Sequence, residues 1–171
     1  MSFCLSRAGF ACGWFGGGNR CRFEAMATGD SPMGVLASLG ANPVGWAACG
    51  PRSRYLGSNP SHHPLLGERP RSEDETVWLL PCLFVRDGHR GVGVSHALVG
   101  AATSLARQHN ATALEAWPSS RDSSNTDAHL GREGLFAELG FHCVARPAPN
   151  RALMRLDFTR PPGSGSASSD R

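Results

Sequence analysis

Apolar residues recur along this chain in runs whose spacing distinguishes strands from helices. The clearest run is TVWLLPCLFV, residues 76–85, which is apolar on both faces and predicts a central strand covered on both sides. Pro81 inside this run cannot donate to a strand ladder, so a bulge or a splayed strand is expected there. Apolar residues at helical spacing follow over residues 94–109, and Asn110 suits the end of that helix.

Shorter patterns predict the other elements, in an order that alternates strands with helices. A strand, a helix and a second strand in succession indicate a parallel pair with a crossover helix, and terminal hairpins add antiparallel pairs. The fold class is therefore α/β with a mixed central sheet. The predicted elements are a helix at 20–28, hairpin strands at 33–39 and 44–49, a strand at 111–118, a helix at 132–139, and hairpin strands at 141–147 and 152–158.

The same patterns indicate one folded domain between two less regular ends. Residues 19–158 form the predicted domain, and residues 159–171, rich in Gly and Ser, are expected to be a disordered tail. Residues 1–18 have no clear assignment, although Gly13–Phe15 can belong to a first strand. The polar stretch 50–73 is predicted to be a long loop, which together with the loop at 118–130 shapes the site for an acceptor.

Composition narrows the class of protein without identifying it. The 171 residues are 40% hydrophobic and 18% charged, and no apolar run is long enough to span a membrane. A net charge of +3 is too small to indicate nucleic-acid binding. The six cysteines form no C-x-x-C pair, and Cys82 and Cys143 lie in apolar runs, which favours reduced, buried thiols in a cytoplasmic protein. All 17 basic residues are arginine, so no lysine can serve as a phosphate ligand.

The turn between the central strand and the long helix carries the candidate chemistry. The sequence RGVGVS, residues 90–95, would present backbone N–H groups at a helix N-terminus, with Arg90 beside them, and this arrangement suits phosphate oxygens. A Walker loop is excluded because no Gly-Lys-Ser/Thr follows. Spacing alone leaves open a dinucleotide site and a purely structural tight turn.

The turn resembles the R/Q-x-x-G-x-G/A pyrophosphate motif of the GNAT N-acetyltransferases, with Arg90, Gly93 and Ser95 at the motif positions. Ser95 departs from the usual Gly or Ala by a small change. The resemblance covers residues 19–157, and the W-x-x-x-C-x-F-V pattern of residues 78–85 is similar to the fourth strand of a bacterial branch. Residues 115–118 resemble that family's fifth strand, and residues 135–141 resemble its last helix and the Gly-Phe turn.

The resemblance implies a GNAT-like sheet, flanked by helices, whose fourth and fifth strands splay apart and admit acetyl-CoA as co-substrate. Backbone groups of the fourth strand would pair with the pantetheine arm, and amides of the turn would hold the pyrophosphate. An amine of a small molecule or protein would then attack the thioester directly. The residues implied in cofactor binding are Leu83, Phe84, Val85, Arg90, Gly91, Val92, Gly93, Val94, Ser95 and His96.

A general base must accept the amine proton, and Glu115, at the end of the fifth strand, is the first candidate. The alternative interpretation of Glu115 is a solvated or salt-bridged acid at the end of a strand. Glu75 and His129 are weaker candidates for the base. The tyrosine that many relatives use as general acid is replaced by Phe136. A catalytically degenerate acyl-CoA-binding module is therefore the second hypothesis, and a nucleotide-binding protein of another fold the third.

Partners other than an amine acceptor are not indicated. Glu73 and Asp74 can attract a cationic amine or form a solvated loop surface, and the sequence does not decide between these alternatives. His62 and His63 lack partners at ligand spacing, so no metal site is expected. Neither nucleic acid nor a membrane is an expected partner, and the sequence does not indicate an oligomeric state.

Overall fold

The computed structural model describes residues 17–29, 31–56, 69–119 and 130–158. Its strands form one six-stranded sheet in the order β1-β2-β3-β4-β6-β5, which confirms the predicted mixed α/β fold. The elements are α1 (Gly18–Ala27), β1 (Gly34–Leu39), β2 (Asn42–Pro51), α2 (Ser53–Leu56), a 3-10 turn (Arg71–Glu73), β3 (Val77–Val85), α3 (Val94–Gln108), β4 (Ala113–Ala116), α4 (Glu133–Glu138), β5 (His142–Ala148) and β6 (Arg151–Asp157).

The central pair, β3 and β4, is parallel and is joined through α3, as the strand–helix–strand order predicted. All other neighbouring strands in the sheet pair antiparallel. Pairing between β3 and β4 ends at Leu80 and Ala116, whereas β3 continues to Val85. The last five residues of β3 therefore leave β4 and form one side of a splay.

Pro81 lies where the splay begins, at a bulge in β3. Leu79 and Cys82 of β3 pair with Gly50 and Ala48 of β2. Between these pairs, Leu80 and Pro81 of β3 stand opposite the single residue Cys49 of β2. The extra residue reverses the alternation of side chains along β3. The structure thus contains both features, a bulge and a splay, that the proline predicted.

The core lies between the sheet and the helices α3 and α4, on what we call the helix side of the sheet. Leu83 and Val85 of β3 join it, as does Ala47 of β2, because these strands turn alternate residues to that side. The opposite side of the sheet, which we call the second side, carries the alternate strand residues, such as Phe84 of β3 and Trp46 of β2. Helix α1 contacts this side, where Phe23 packs against Trp46 with ring centroids 6.2 Å apart. Within the described residues, no helix is long and apolar enough to cross a membrane.

Two predictions need correction, and several lie outside the described residues. The stretch 50–73 is not all loop: its described parts include the end of β2, α2 and the 3-10 turn. Cys143 is exposed, since β5 lies at the edge of the sheet, and Cys82 is only partly buried. The segments 1–16, 57–68, 120–129 and 159–171 lie outside the described residues, and with them the predicted first strand, His62, His63, His129 and the tail.

Candidate functional site

The turn that connects β3 to α3 is built on glycines with left-handed backbone angles. Gly88, Gly91 and Gly93 have φ values of 83°, 77° and 88°, which side chains with a Cβ rarely adopt. No heavy atom lies within 4 Å of the position that a Cβ would occupy at any of the three. The turn therefore presents bare backbone to an open space.

The first turn of α3 faces this space with its backbone donors. The first helical hydrogen bond runs from the Ala97 N–H to the Gly93 carbonyl at 3.1 Å, so the N–H groups of Val94, Ser95 and His96 precede the intrahelical ladder. Gly93 is the N-cap and has no side chain to accept from them. Three donors and the positive end of the helix dipole thus converge where an anion would be stabilised.

Arg90 lies across the turn and connects it to the end of β3. Its Nε donates to the Val85 carbonyl at 3.1 Å, and its Nη2 is 3.1 Å from Asp87 Oδ1. Both side chains are largely exposed, so the ion pair is weak and leaves the guanidinium accessible. Val92, between Gly91 and Gly93, is 71% exposed.

The splayed part of β3 offers backbone groups on the side that β4 has left. The Arg86 N–H donates to the Val44 carbonyl at 2.9 Å, which makes this pair a hydrogen-bonded one in the β2–β3 ladder. Bonding alternates along an antiparallel pair, so Phe84 also directs its N–H and C=O toward β2. The backbone groups of Leu83 and Val85 consequently point into the splay, although the Val85 carbonyl already accepts from Arg90.

The side chains of the predicted cofactor-binding residues of β3 lie on both sides of the sheet. Leu83 and Val85 are buried in the core, whereas Phe84 is 48% exposed on the second side. His96 turns its imidazole away from the glycine turn, and its Nε2 lies 2.9 Å from Glu138 Oε2 on α4. The structure thus places the predicted residues 83–85 on a strand edge and the predicted residues 90–96 in the turn and helix start that follow it.

Glu115 is placed apart from that turn, within the shared part of the β3–β4 ladder opposite Leu79. It is fully buried on the second side and is surrounded by arginines. Arg52 Nη1 donates to Oε2 at 3.3 Å, Arg155 Nη1 donates to Oε1 at 3.0 Å, and Arg69 also bonds Oε1. These are the contacts of a salt-bridged acid, the second of the two interpretations that the sequence allowed.

The three arginines that contact the candidate base Glu115 were missed by the sequence analysis. Arg52 is completely buried, and its Nε donates to Asp74 at 2.7 Å while its Nη2 donates to the Pro70 carbonyl at 2.6 Å. Because Arg52 precedes Glu115 by 63 positions, no local pattern could reveal the pair. Because all 17 Lys and Arg residues are arginine, the sequence does not distinguish the few buried arginines from the exposed ones.

Cys82 follows Pro81 in β3, and its side chain lies on the second side of the sheet, as does that of Phe84. Burial raises the pKa of its thiol above the ordinary value, so the neutral thiol predominates near pH 7. A neutral thiol is a poor nucleophile, which favours packing over covalent chemistry at this position. In the described part of the chain, no group of three or more His, Cys, Asp or Glu side chains could hold a metal ion.

A search of curated proteins found no match. Structural matches include yncA from Salmonella typhimurium, solved with its cofactor acetyl-CoA (16% identity, TM-score 0.56, 86% of this chain and 77% of that one). A ribosomal-protein-alanine N-acetyltransferase from Brucella melitensis matches with 18% identity and a TM-score of 0.54, over 82% of this chain and 77% of that one. Identities this low show the fold alone.

A third structure, a GNAT-family protein from Desulfovibrio desulfuricans, has 19% identity and a TM-score of 0.49 over 71% of this chain. This chain spans 65% of its length, just under two thirds. The sequence profile of the family described as Acetyltransferase (GNAT) family matches residues 8–141, which is well over half of the chain. That match, together with the splayed sheet and the glycine turn, shows that the chain belongs to the GNAT acetyltransferase family.

Proposed function

We propose that this protein is an N-acetyltransferase that moves an acetyl group from acetyl-CoA to a primary amine of a small molecule or protein. The observation that carries the proposal is the continuous backbone surface formed by the splayed edge of β3, the glycine turn and the start of α3. Membership of the GNAT family supports acyl transfer from acetyl-CoA. The sheet order and its parallel central pair agree with that assignment.

The residues of this surface fit a long donor with a thioester at one end and a diphosphate at the other. N–H groups of Val94, Ser95 and His96 would hold the diphosphate, and the guanidinium of Arg90 would add positive charge. Leu83 and Val85 would offer backbone groups to the amide-containing arm. The empty space beside Gly91 and Gly93 leaves room for the donor to approach the backbone.

Acetyl-CoA supplies the acyl group as an activated thioester. In the proposed reaction the acceptor nitrogen forms a bond to the carbonyl carbon, the carbon–sulfur bond breaks, and coenzyme A leaves as the thiol. One amine proton must pass to a base or to water, and one proton must reach the departing sulfur. A backbone N–H of the splayed edge can stabilise negative charge on the carbonyl oxygen, an effect of about 3 kcal/mol per donor.

The predicted base, Glu115, remains a prediction, and its contacts count against it. Arginine donors occupy both carboxylate oxygens, and the side chain is fully buried. Phe136, at the position of the usual general acid, is also fully buried, packs edge-on against Phe141 at 5.2 Å, and cannot donate a proton. These two observations favour the second candidate function, an acyl-CoA-binding module without catalysis.

Binding of acetyl-CoA is tested by a matched pair of glycine substitutions. Gly93→Ala adds a methyl group at the N-cap of α3, and Gly88→Ala adds the same group earlier in the turn. Both glycines have left-handed φ values and open space around the added Cβ, so both variants should suffer similar strain. By isothermal titration, we expect Gly93→Ala to weaken acetyl-CoA binding by about tenfold, or about 1.4 kcal/mol.

Gly88→Ala should bind acetyl-CoA with nearly the affinity of the unmodified protein, because it lies outside the proposed diphosphate contact. Equal loss in both variants would attribute the effect to strain in the turn, and no binding by the unmodified protein would refute the proposal. A free-thiol assay with a panel of amines then separates the enzyme from the module. The module predicts acetyl-CoA binding without thiol release.

A further inference from the structure

A row of apolar side chains crosses three strands on the second side of the sheet. Leu36 of β1 pairs with Trp46 of β2, and Trp46 pairs with Phe84 of β3. Directly paired residues project to the same side of a sheet. Their neighbours Val35, Ala47 and Leu83 pack in or against the core on the helix side, so the row itself faces away from α3. We call Leu36, Trp46 and Phe84 the apolar row.

The apolar row is accessible at both of its ends. Leu36 is 61% exposed and Phe84 is 48% exposed, while Trp46 between them is half-buried beneath the ring of Phe23 from α1. Exposed apolar side chains that lie singly are common, but here two of them flank a partly covered tryptophan in register over neighbouring strands and form one apolar patch with it. Such patches mark surfaces that bind apolar groups.

The row ends at the proposed point of acetyl transfer. Phe84 lies in the splayed part of β3, between Leu83 and Val85, whose backbone groups point into the splay. An acceptor whose amine reaches a thioester held there lies beside Phe84 and extends along the row. The position of the patch therefore relates it to the acceptor and not to the diphosphate end of the donor.

Charge on the same side of the sheet argues against an acceptor with several positive groups. Glu73 and Asp74, which the sequence offered as attractants for a cationic amine, are bonded to Arg155 and Arg52, at 3.3 and 2.7 Å respectively. Glu115 is likewise enclosed by arginines. These carboxylates are already neutralised by ion pairs, so they provide no free negative charge for a second ammonium group.

The dimensions of the row indicate a small acceptor. Neighbouring strands lie about 4.8 Å apart, so three strands span about 10 Å from the first to the last side chain. This length accommodates one ring or a short aliphatic chain with a linker to the amine. An extended peptide would need contacts well beyond it.

We propose that the acceptor is a small primary amine carrying one aromatic or aliphatic group, which lies on the apolar row while the amine reaches the splay beside Phe84. This inference rests on the proposed acetyl transfer and adds to it the chemical class of the acceptor. A single methylene group in a hydrophobic pocket changes kcat/KM by about tenfold to 200-fold, so a ring or short chain on the row should give at least about tenfold.

The test compares phenylethylamine with ethylamine, spermidine and a peptide that begins with phenylalanine, using release of coenzyme A thiol as the readout. We expect kcat/KM for phenylethylamine to exceed that for ethylamine and for spermidine by about tenfold or more. Equal or better turnover of ethylamine or spermidine would overturn the proposal. Faster turnover of the peptide would overturn the assignment to a small acceptor.

A matched pair of variants on β1 tests whether the preference for phenylethylamine arises at the apolar row. Leu36→Ser alters the row, whereas Leu39→Ser alters an equally exposed leucine (57%) that strand alternation places off the row. We expect Leu36→Ser to raise KM for phenylethylamine several-fold, with acetyl-CoA affinity unchanged, and Leu39→Ser to change neither. Identical behaviour of the two variants would refute a role for the row.

Failure of this inference and failure of the proposed function give different results. A protein that does not bind acetyl-CoA in calorimetry fails the proposed function. A protein that binds acetyl-CoA and acetylates amines without preference for apolar groups fails only this inference. If no amine is acetylated, titration of phenylethylamine into the acetyl-CoA complex decides, and absence of a binding signal overturns the proposal.

Discussion

At the scale of single residues, Glu115 shows how burial changes the chemistry expected of a side chain. A carboxylate at the end of a strand near a cleft resembles a general base in the sequence. In the structure its oxygens accept hydrogen bonds from Arg52, Arg69 and Arg155, and it is completely buried. Arg52 is equally buried, so the pair exists only because each charge compensates the other.

Replacement of Glu115 by glutamine distinguishes the two roles. Glutamine keeps the size of the side chain but removes the buried carboxylate charge, so that Arg52 keeps, among the described residues, only the ion pairs with Asp74 and Glu73. We expect the free energy of unfolding to fall by about 3 kcal/mol, measured by urea denaturation, because removing one partner of a buried ion pair is strongly destabilising. We also expect kcat of the folded fraction to stay within a few-fold of the unmodified value.

Glu24→Gln is the control for this experiment. Glu24 forms an exposed ion pair with Arg20 at 2.8 Å, one helical turn apart on α1, and such pairs contribute under 1 kcal/mol. A general base would give a different kinetic result at Glu115. There, kcat of the folded fraction would fall by about a hundredfold or more, with a changed pH profile.

At the scale of elements, the periodicity of apolar residues was sufficient to find every strand and every helix of the described residues except α2 and the 3-10 turn. The run at 76–85 and the helical spacing at 94–109 correspond to β3 and α3 within one residue at each end. The short α2 was missed because Ser53–Leu56 is only four residues long and lies in a polar stretch with no apolar period. The bulge was anticipated because proline has no N–H.

Pro81 is expected to keep β3 and β4 apart. An alanine at this position would restore the N–H that the ladder lacks beyond Leu80 and Ala116, so one more hydrogen bond can form between the strands. We expect Pro81→Ala to maintain or raise the melting temperature and to weaken acetyl-CoA binding by about two- to tenfold, equivalent to about 0.5–1.5 kcal/mol.

Pro43→Ala provides the comparison, because Pro43 also lies in a strand but pairs with Ser38 at the far edge of the sheet. It should leave acetyl-CoA affinity unchanged. Thermal denaturation and calorimetric titration of the two variants measure both quantities. A splay maintained by the flanking segments, and not by proline, would leave Pro81→Ala with normal affinity.

At the scale of the whole molecule, the candidate site divides into a part that sequence could predict and a part that it could not. The turn at Gly91–Ser95 was predictable because its chemistry is local: backbone angles, donors and a neighbouring arginine lie within six positions. The arginine cluster around Glu115 depends on contacts across 40 to 63 positions. Only the assembled sheet brings those residues together.

The buried core also makes the stability of the whole molecule depend on alkaline pH. Cys49 of β2 is completely buried, and burial raises the pKa of its thiol from 9.0 to about 12. Between these values the unfolded chain loses the Cys49 proton while the folded protein keeps it. The folded state then binds more protons than the unfolded state, so stability is fully present below pH 9 and falls as pH rises toward 12.

Urea denaturation at pH 8, 9, 10 and 10.5, in the presence of a reducing agent, measures this effect. Each unit of pH above 9 should remove up to about 1.4 kcal/mol of unfolding free energy through this one thiol. Cys49→Ala is expected to be less stable at pH 8, because it leaves a small cavity, yet to show a shallower decline above pH 9. Cys21→Ala removes an exposed thiol and should decline in parallel with the unmodified protein. Parallel declines for Cys49→Ala and the unmodified protein would mean that the Cys49 thiol ionises as readily in the folded sheet as in the unfolded chain, and so that β2 admits water to its core side.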